Sequence, residues 1–191
     1  MAIDRASPLA LTVLGLLQYQ PLHPYGIQRL IKQWGKDQVV NVGQRTSLYR
    51  MMVRLEEEGL ITAGSTERDE RYPERTVYHL TEDGRTTCRE WLAEILATPR
   101  NEFPEFPAAL SFVMLVTPET AGELLGERRD HLSERIAVLD AELVLEGEPI
   151  PRFALLETEY QRAIAMAEAE WIDRIVDDLT TGTLTWKPGP V

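Results

Sequence analysis

Apolar positions recur at helical spacing over most of the chain, and the breaks between the periodic stretches are chemically marked. Ser7 followed by Pro8 is a hydroxyl cap with proline at the first helical position. Leu9, Val13, Leu16 and Leu17 then fall on one face, widened by Leu11 and Leu14. The turn Pro21-Leu22-His23-Pro24 ends that helix, and Ile27, Leu30, Ile31 and Trp34 place a second one before Gly35. An irregular stretch from Lys36 to Gly43 leads to a third helix, from about Arg45 to Glu58. Its apolar stripe is Leu48, Met51, Met52 and Leu55, and Gly59 is its C-terminal stop.

The period then shortens. Leu60 to Ala63 and Thr76 to Leu80 read as two antiparallel strands joined by a long charged loop, with Tyr78 and Leu80 on one face of the second and Val77 and His79 on the other. Three helices followed by such a hairpin predict a winged helix, with the loop as its wing. Thr81 caps a fourth helix, Glu82 to Leu96, whose shared face holds Gly84, Cys88, Trp91, Leu92 and Ile95.

Beyond Thr98-Pro99 the pattern is purely helical. Arg100 to Pro107 is an irregular connector, and Ala108 to Val116 reads as a short buried helix. Thr117-Pro118 starts a long helix running to about Leu145, with Leu125, Leu132 and Leu139 seven apart and Ile136 and Leu143 between them. After a turn from Gly147 to Pro151, a last helix from Arg152 to Leu179 is expected to bury Leu156, Tyr160, Ile164, Ala167, Trp171, Ile175 and Leu179. The expected organisation is a winged helix-turn-helix domain over 1–97, a helical dimerisation domain over 98–180 and a loosely ordered tail over 181–191, mainly α with a small β-hairpin wing.

Composition narrows the functional classes. At 43% apolar and 27% charged residues the chain is an ordinary globular one, and no apolar run approaches the roughly 20 residues that cross a bilayer. The N-terminal apolar stretch carries Asp4 and Arg5 and lacks a small-residue cleavage site, so no signal peptide is read there. Cys88 stands alone, which excludes an internal disulfide and, with the rest, points to the cytoplasm. His23, His79 and His131 have no metal-ligand spacing, and neither a nucleophile with its base nor a phosphate-cradling glycine loop is present. No enzyme activity, cofactor or metal is expected.

The net charge of −11 argues against a nucleic-acid partner until its distribution is read. Residues 1–97 hold 12 basic and 13 acidic side chains, and residues 98–191 hold 8 and 18, so nearly all the excess lies in the second half. At about 100° per residue, the side of the third helix opposite its apolar stripe carries Thr46, Ser47, Arg50, Val53 and Arg54. Arg45 stands in the first turn, while Glu56, Glu57 and Glu58 are confined to the last. Cationic and hydroxyl groups at the start of a third helix suit a recognition helix. In the wing, Arg68, Arg71 and Arg75 alternate with Glu67, Asp69, Glu70 and Glu74, an arrangement open to phosphate contact or to surface ion pairs alone.

Several fragments, in order and at matching spacing, resemble the PadR family of transcriptional regulators. They are Leu14-Gly15-Leu16-Leu17, His23-Pro24-Tyr25-Gly26, Leu48-Tyr49 through Leu55-Glu56, Gly59-Leu60-Ile61, and Tyr78-His79-Leu80-Thr81-Glu82-Asp83-Gly84-Arg85. Arg100-Asn101-Glu102-Phe103 and Ala167 to Trp171 resemble the subgroup with a helical C-terminal domain. The resemblance implies a homodimeric repressor, less often an activator, dimerised through the first helix and the C-terminal helices. It also implies DNA contacts at Thr46, Ser47, Tyr49 and Arg50 and around Arg71 and Arg75 of the wing. Two departures stand out: Thr46 and Arg50 lie where the family often has Gly and Pro, and the wing is more acidic than usual.

Some relatives stack small aromatic effectors on an aromatic of the fourth helix, which makes Trp91 the candidate effector contact; packing in the core or dimer seam is its plainer role. Cys88, on the same stripe, reads as a buried apolar residue rather than a redox switch. The leading expectation is therefore a dimer binding a pseudo-palindromic DNA site, with Arg45 and Arg54 added to the contacts above. The alternative is a ligand-sensing or protein-interaction module that keeps the fold without tight DNA binding.

Overall fold

The computed structural model describes residues 7–36, 39–40, 45–67, 75–144 and 151–189, and the side chains of all of these except 45, 46, 65–67 and 75. It divides into two compact units, Met1–Asn101 and Glu102–Val191.

In the first unit, α1 (Pro8–Leu17) begins where the Ser7 hydroxyl accepts from the Ala10 amide at 3.1 Å. The next helix, α2 (Pro24–Gln33), is capped by an imidazole: His23 Nδ1 accepts from the Gly26 amide at 2.7 Å. Third comes α3 (Arg45–Glu57), followed by β1 (Ile61–Glu67), β2 (Arg75–Leu80) and α4 (Glu82–Ala97). The strands pair antiparallel from Ile61↔Leu80 to Glu67↔Arg75, with an irregularity between Ala63 and Thr66. Leu22, between α1 and α2, exchanges two backbone hydrogen bonds with Tyr78 and so adds a one-residue third strand. The core joins Val13, Leu14 and Leu17 of α1 to Ile27 and Ile31 of α2, Leu48, Met52 and Leu55 of α3, and Ile61 and Leu80 of the hairpin. Cys88 of α4 closes this core, and Trp91 packs half-buried against it.

The joint between α3 and α4 is the tightest place in the unit. Gly59, at φ +72°, turns the chain out of α3, and the Gly59 and Leu60 amides donate back to the carbonyls of Glu56 and Leu55. The Leu60 carbonyl then accepts from the Thr81 amide at 3.1 Å, and the Thr81 hydroxyl lies within 2.7 Å of the Gly59 carbonyl and 3.0 Å of that of Leu60. The same hydroxyl accepts from the Gly84 amide and so caps α4. Gly84 passes so near that a Cβ there would lie 2.0 Å from the Leu60 oxygen.

The second unit is built on a helical hairpin, α6 (Pro118–Leu143) and α7 (Leu156–Thr180), preceded by α5 (Glu105–Leu110). Ala121, Leu125 and Leu139 of α6 meet Ala165 and Ile172 of α7 as its buried residues. Arginines stitch the two helices together: Arg128 to Glu168, Arg129 to Asp173, Arg135 to Gln161 and Arg162 to Asp140. Phe106 holds α5 in place, its ring under the Arg128 guanidinium at 3.7 Å and edge-on to Trp171.

Three features of this unit differ from the sequence reading. The short helix starts at Glu105 rather than Ala108, behind Pro104, and none of its residues is buried. On α7, Leu156, Tyr160, Ile164 and Ala167 are exposed and Trp171, Ile175 and Leu179 only half-buried, while the fully buried residues are Ala165 and Ile172. The helix is apolar on two sides, and the small Ala165 permits the closer approach that packing favours. Finally, residues after α7 are tied back, since Trp186 Nε1 donates to the Val116 carbonyl at 2.9 Å and the Gly189 amide to that of Met114.

Replacing Gly84 with Ala should lower unfolding free energy by at least the upper end of the roughly 1–3 kcal/mol typical of overpacking, because the obstacle is backbone. Thr81→Ala should cost about 1–2 kcal/mol through the lost cap and bridge. Urea denaturation measures both, and a Gly84→Ala loss within about 0.5 kcal/mol, ordinary for a surface site, would contradict the close approach.

Candidate nucleic-acid interface

The face of α3 turned away from the core is shaped by its sequence period. With Leu48, Met52 and Leu55 buried, Tyr49 and Val53 are left 53% and 51% exposed, Arg50 is exposed beside them, and Ser47 is half-buried. Arg45 and Thr46 belong to the first turn of this helix, but their side chains lie outside what is described. Tyr49 also lines a shallow recess with Pro24, Tyr25, Gln28 and Leu48, so the starts of α2 and α3 share one surface.

The acids at the end of α3 are engaged within the unit. Glu56 accepts from the Ala63 amide at 3.1 Å and ties the helix to β1, while Glu58 pairs with Arg54 at 3.5 Å. These contacts engage two of the three last-turn carboxylates, while Glu57 stays exposed two turns after Arg50. Arg54 is thereby held along the helix by Glu58. Its ion pair, half-exposed, adds little stability but fixes where the guanidinium rests.

Below the face, the Tyr78 phenol is pushed above its ordinary pKa, first by burial and then by the nearby Glu56 and Tyr49. The Cys88 thiol is also pushed up by burial, against the smaller opposing pull of Gln18 and Arg89. Among the described residues, no group of three or more His, Cys, Asp or Glu could hold a metal ion.

The wing is placed only in part. Arg75 opens β2 and pairs with Glu67 in the strand register, though its side chain lies outside what is described. Arg71 lies outside the described residues. The structure thus brings Ser47, Tyr49, Arg50 and Arg54 onto one helix, with Val53 among them. Trp91 is apart from this group, on α4 against the core.

Residues 13–90 match the model of the transcriptional regulator PadR-like family. Over that stretch, from within α1 to within α4, the chain is similar to PadR-like regulators. Among solved structures, the chain resembles Bacillus subtilis PadR in complex with operator DNA, at TM-score 0.70 and 20% identity over 91% of this chain and 99% of that one. It resembles the same protein in complex with p-coumaric acid at TM-score 0.71 and 19% identity, over 90% and 98% of the two chains. The Vibrio cholerae virulence activator AphA aligns over 91% of this chain and 99% of its own, at TM-score 0.64 and 20% identity. At such identities these structures speak for the fold, which extends past the PadR-like domain into the helical second unit. No curated protein sequence gives a significant match. Among the described residues, no helix is long and apolar enough to cross a membrane.

The state of Cys88 is directly measurable. Burial and a raised pKa both suppress the thiolate, so the native protein should react with a thiol reagent at neutral pH far more slowly than the urea-unfolded chain. Equal rates would show that the thiol is not packed against the core.

Proposed function

We propose that this protein is a sequence-specific DNA-binding transcriptional regulator, a repressor that acts in the cytoplasm as a homodimer on a pseudo-palindromic site. The observation that carries the reading is the exposed side of α3, where Ser47, Tyr49 and Arg50 face outward while the last-turn acids Glu56 and Glu58 are bound elsewhere. Two such helices would enter successive major grooves about 34–36 Å apart. Arg50 would reach a guanine edge or a phosphate, with Ser47 and Tyr49 setting register on the backbone. Arg45, Thr46 and Arg54 would join them from the same helix, and Arg71 and Arg75 from the wing. Residues 1–97 would form the reading domain and 98–180 the dimerisation domain.

The apolar residues left uncovered on α7 favour the dimer: Tyr160 is 67% and Ile164 51% exposed, next to an exposed Leu156. A second copy would bury this stripe. A small aromatic effector, as in the p-coumaric acid complex of Bacillus subtilis PadR, would make Trp91 its candidate contact. The second reading, a sensing or protein-interaction module without tight DNA binding, draws on the −11 net charge. Affinity for DNA that is absent at low salt would favour it.

Two measurements test the proposal. In mobility shifts on its own promoter DNA, Arg50→Ala should weaken binding at least tenfold, equivalent to about 1.4 kcal/mol, and Tyr49→Phe should weaken it less. Unchanged affinity in both variants would remove α3 as the reading face. In sedimentation velocity the wild type should run as a dimer and Ile164→Asp should shift it toward monomer; a monomeric wild type at micromolar concentration would refute the dimer.

A further inference from the structure

Val53 lies on the outward stripe of α3, C-terminal to Ser47, Tyr49 and Arg50, and has no part in the readout by those three. It is 51% exposed, with Tyr49 one turn before it, Arg50 three residues before it and Glu57 one turn after. A single apolar residue on a surface needs no explanation in general. This position is different because the residues around it are those that would face the floor of a major groove. β-Branching makes valine a poorer helix former than alanine, so local helix stability does not favour it here.

The chemistry of the side chain limits what it can recognise. In a helix a valine is held almost entirely in one χ1 rotamer, so its two methyl groups are aimed by the backbone alone. It has no donor and no acceptor. Among the base edges of the major groove, the apolar group is the thymine C5-methyl. Opposite any other edge, valine would strip water from a polar atom without replacing the hydrogen bond.

We infer that Val53 is a specificity-determining residue that packs on a thymine methyl in each half-site, beside the base pair addressed by Arg50. The inference rests on the reading of α3 as the recognition helix. Three residues of helix advance about 4.5 Å, against a base-pair rise of about 3.4 Å, so this thymine belongs one or two base pairs from the Arg50 contact. Arg54, next in sequence, is paired with Glu58 one turn toward the C-terminus. Glu57, exposed one turn on, carries a charge that phosphates repel, which places Val53 at the far end of the stripe that can approach DNA.

The test uses the full chain and the duplex it recovers from genomic DNA, synthesised with each thymine in turn replaced by deoxyuridine, which lacks only the methyl. Wild-type protein should lose about fourfold in affinity at one thymine per half-site, the effect of one buried methyl. Val53→Ala should bind the thymine duplex correspondingly more weakly and show no thymine–uracil difference at that position. Arg50→Ala, though weaker overall, should keep the difference. Val53→Ala should melt with the wild type, because the site is exposed and alanine is the better helix former. A Val53→Ala profile identical to wild type, or no sensitive thymine at all, would overturn the inference while leaving sequence-specific binding intact. Failure to recover any preferred duplex would overturn both.

Discussion

The arrangement of the N-terminal unit depends on one backbone oxygen. The Leu60 carbonyl is the meeting point of the end of α3, the start of β1 and the start of α4, and it accepts from the Thr81 amide while Gly84 crosses it at a distance no side chain would allow. Gly59 supplies the left-handed turn that presents this carbonyl, and Thr81 caps α4 while reaching back to the same turn. The end of α3, the β1–β2 hairpin and α4 are therefore set against one another by close backbone contacts, bridged by the Thr81 hydroxyl. Orientation of a recognition helix has to be held to a fraction of an ångström for base contacts to form. A joint of this kind provides that rigidity.

Electrostatics follow the same plan of local containment. A net charge of −11 is ill-suited to a polyanion, yet two of the three acids at the end of α3 are taken up, Glu56 by the Ala63 amide and Glu58 by Arg54. In the second unit, acidic side chains of α6 and α7 are paired with arginines across the hairpin. Exposed pairs of this type contribute little stability. Their effect lies in where they hold each charge.

Much of this was legible in residue types and spacing. Ser7-Pro8, Thr81 and Thr117-Pro118 mark helix starts because a hydroxyl and a fixed φ satisfy needs local to one turn. The apolar stripe of α3 identified its buried side, and with it the outward side bearing Arg50 and Val53, because a helix face follows from period alone. The His23 cap on α2 was not read from the sequence, since histidine seldom caps; its signal was only its place before Pro24.

What tertiary structure decided was the choice between equivalent local options. Helix α7 has apolar residues on two sides, and periodicity treats them alike; packing against α6 selected the side with Ala165 and Ile172 and left Leu156, Tyr160 and Ile164 outside. Trp186 looked like part of a loose tail until its indole found the Val116 carbonyl 70 residues away. The glycine at 84 could be recognised as a motif letter, but its reason, a carbonyl that leaves no room for a Cβ, exists only once β2 has folded back beside α3. The sequence by itself determined the long helices, their hydroxyl caps and the buried side of α3, because these depend on neighbours within a turn or two. Which faces meet, and how closely, depends on distant residues competing for the same surface, and that competition is resolved only in three dimensions.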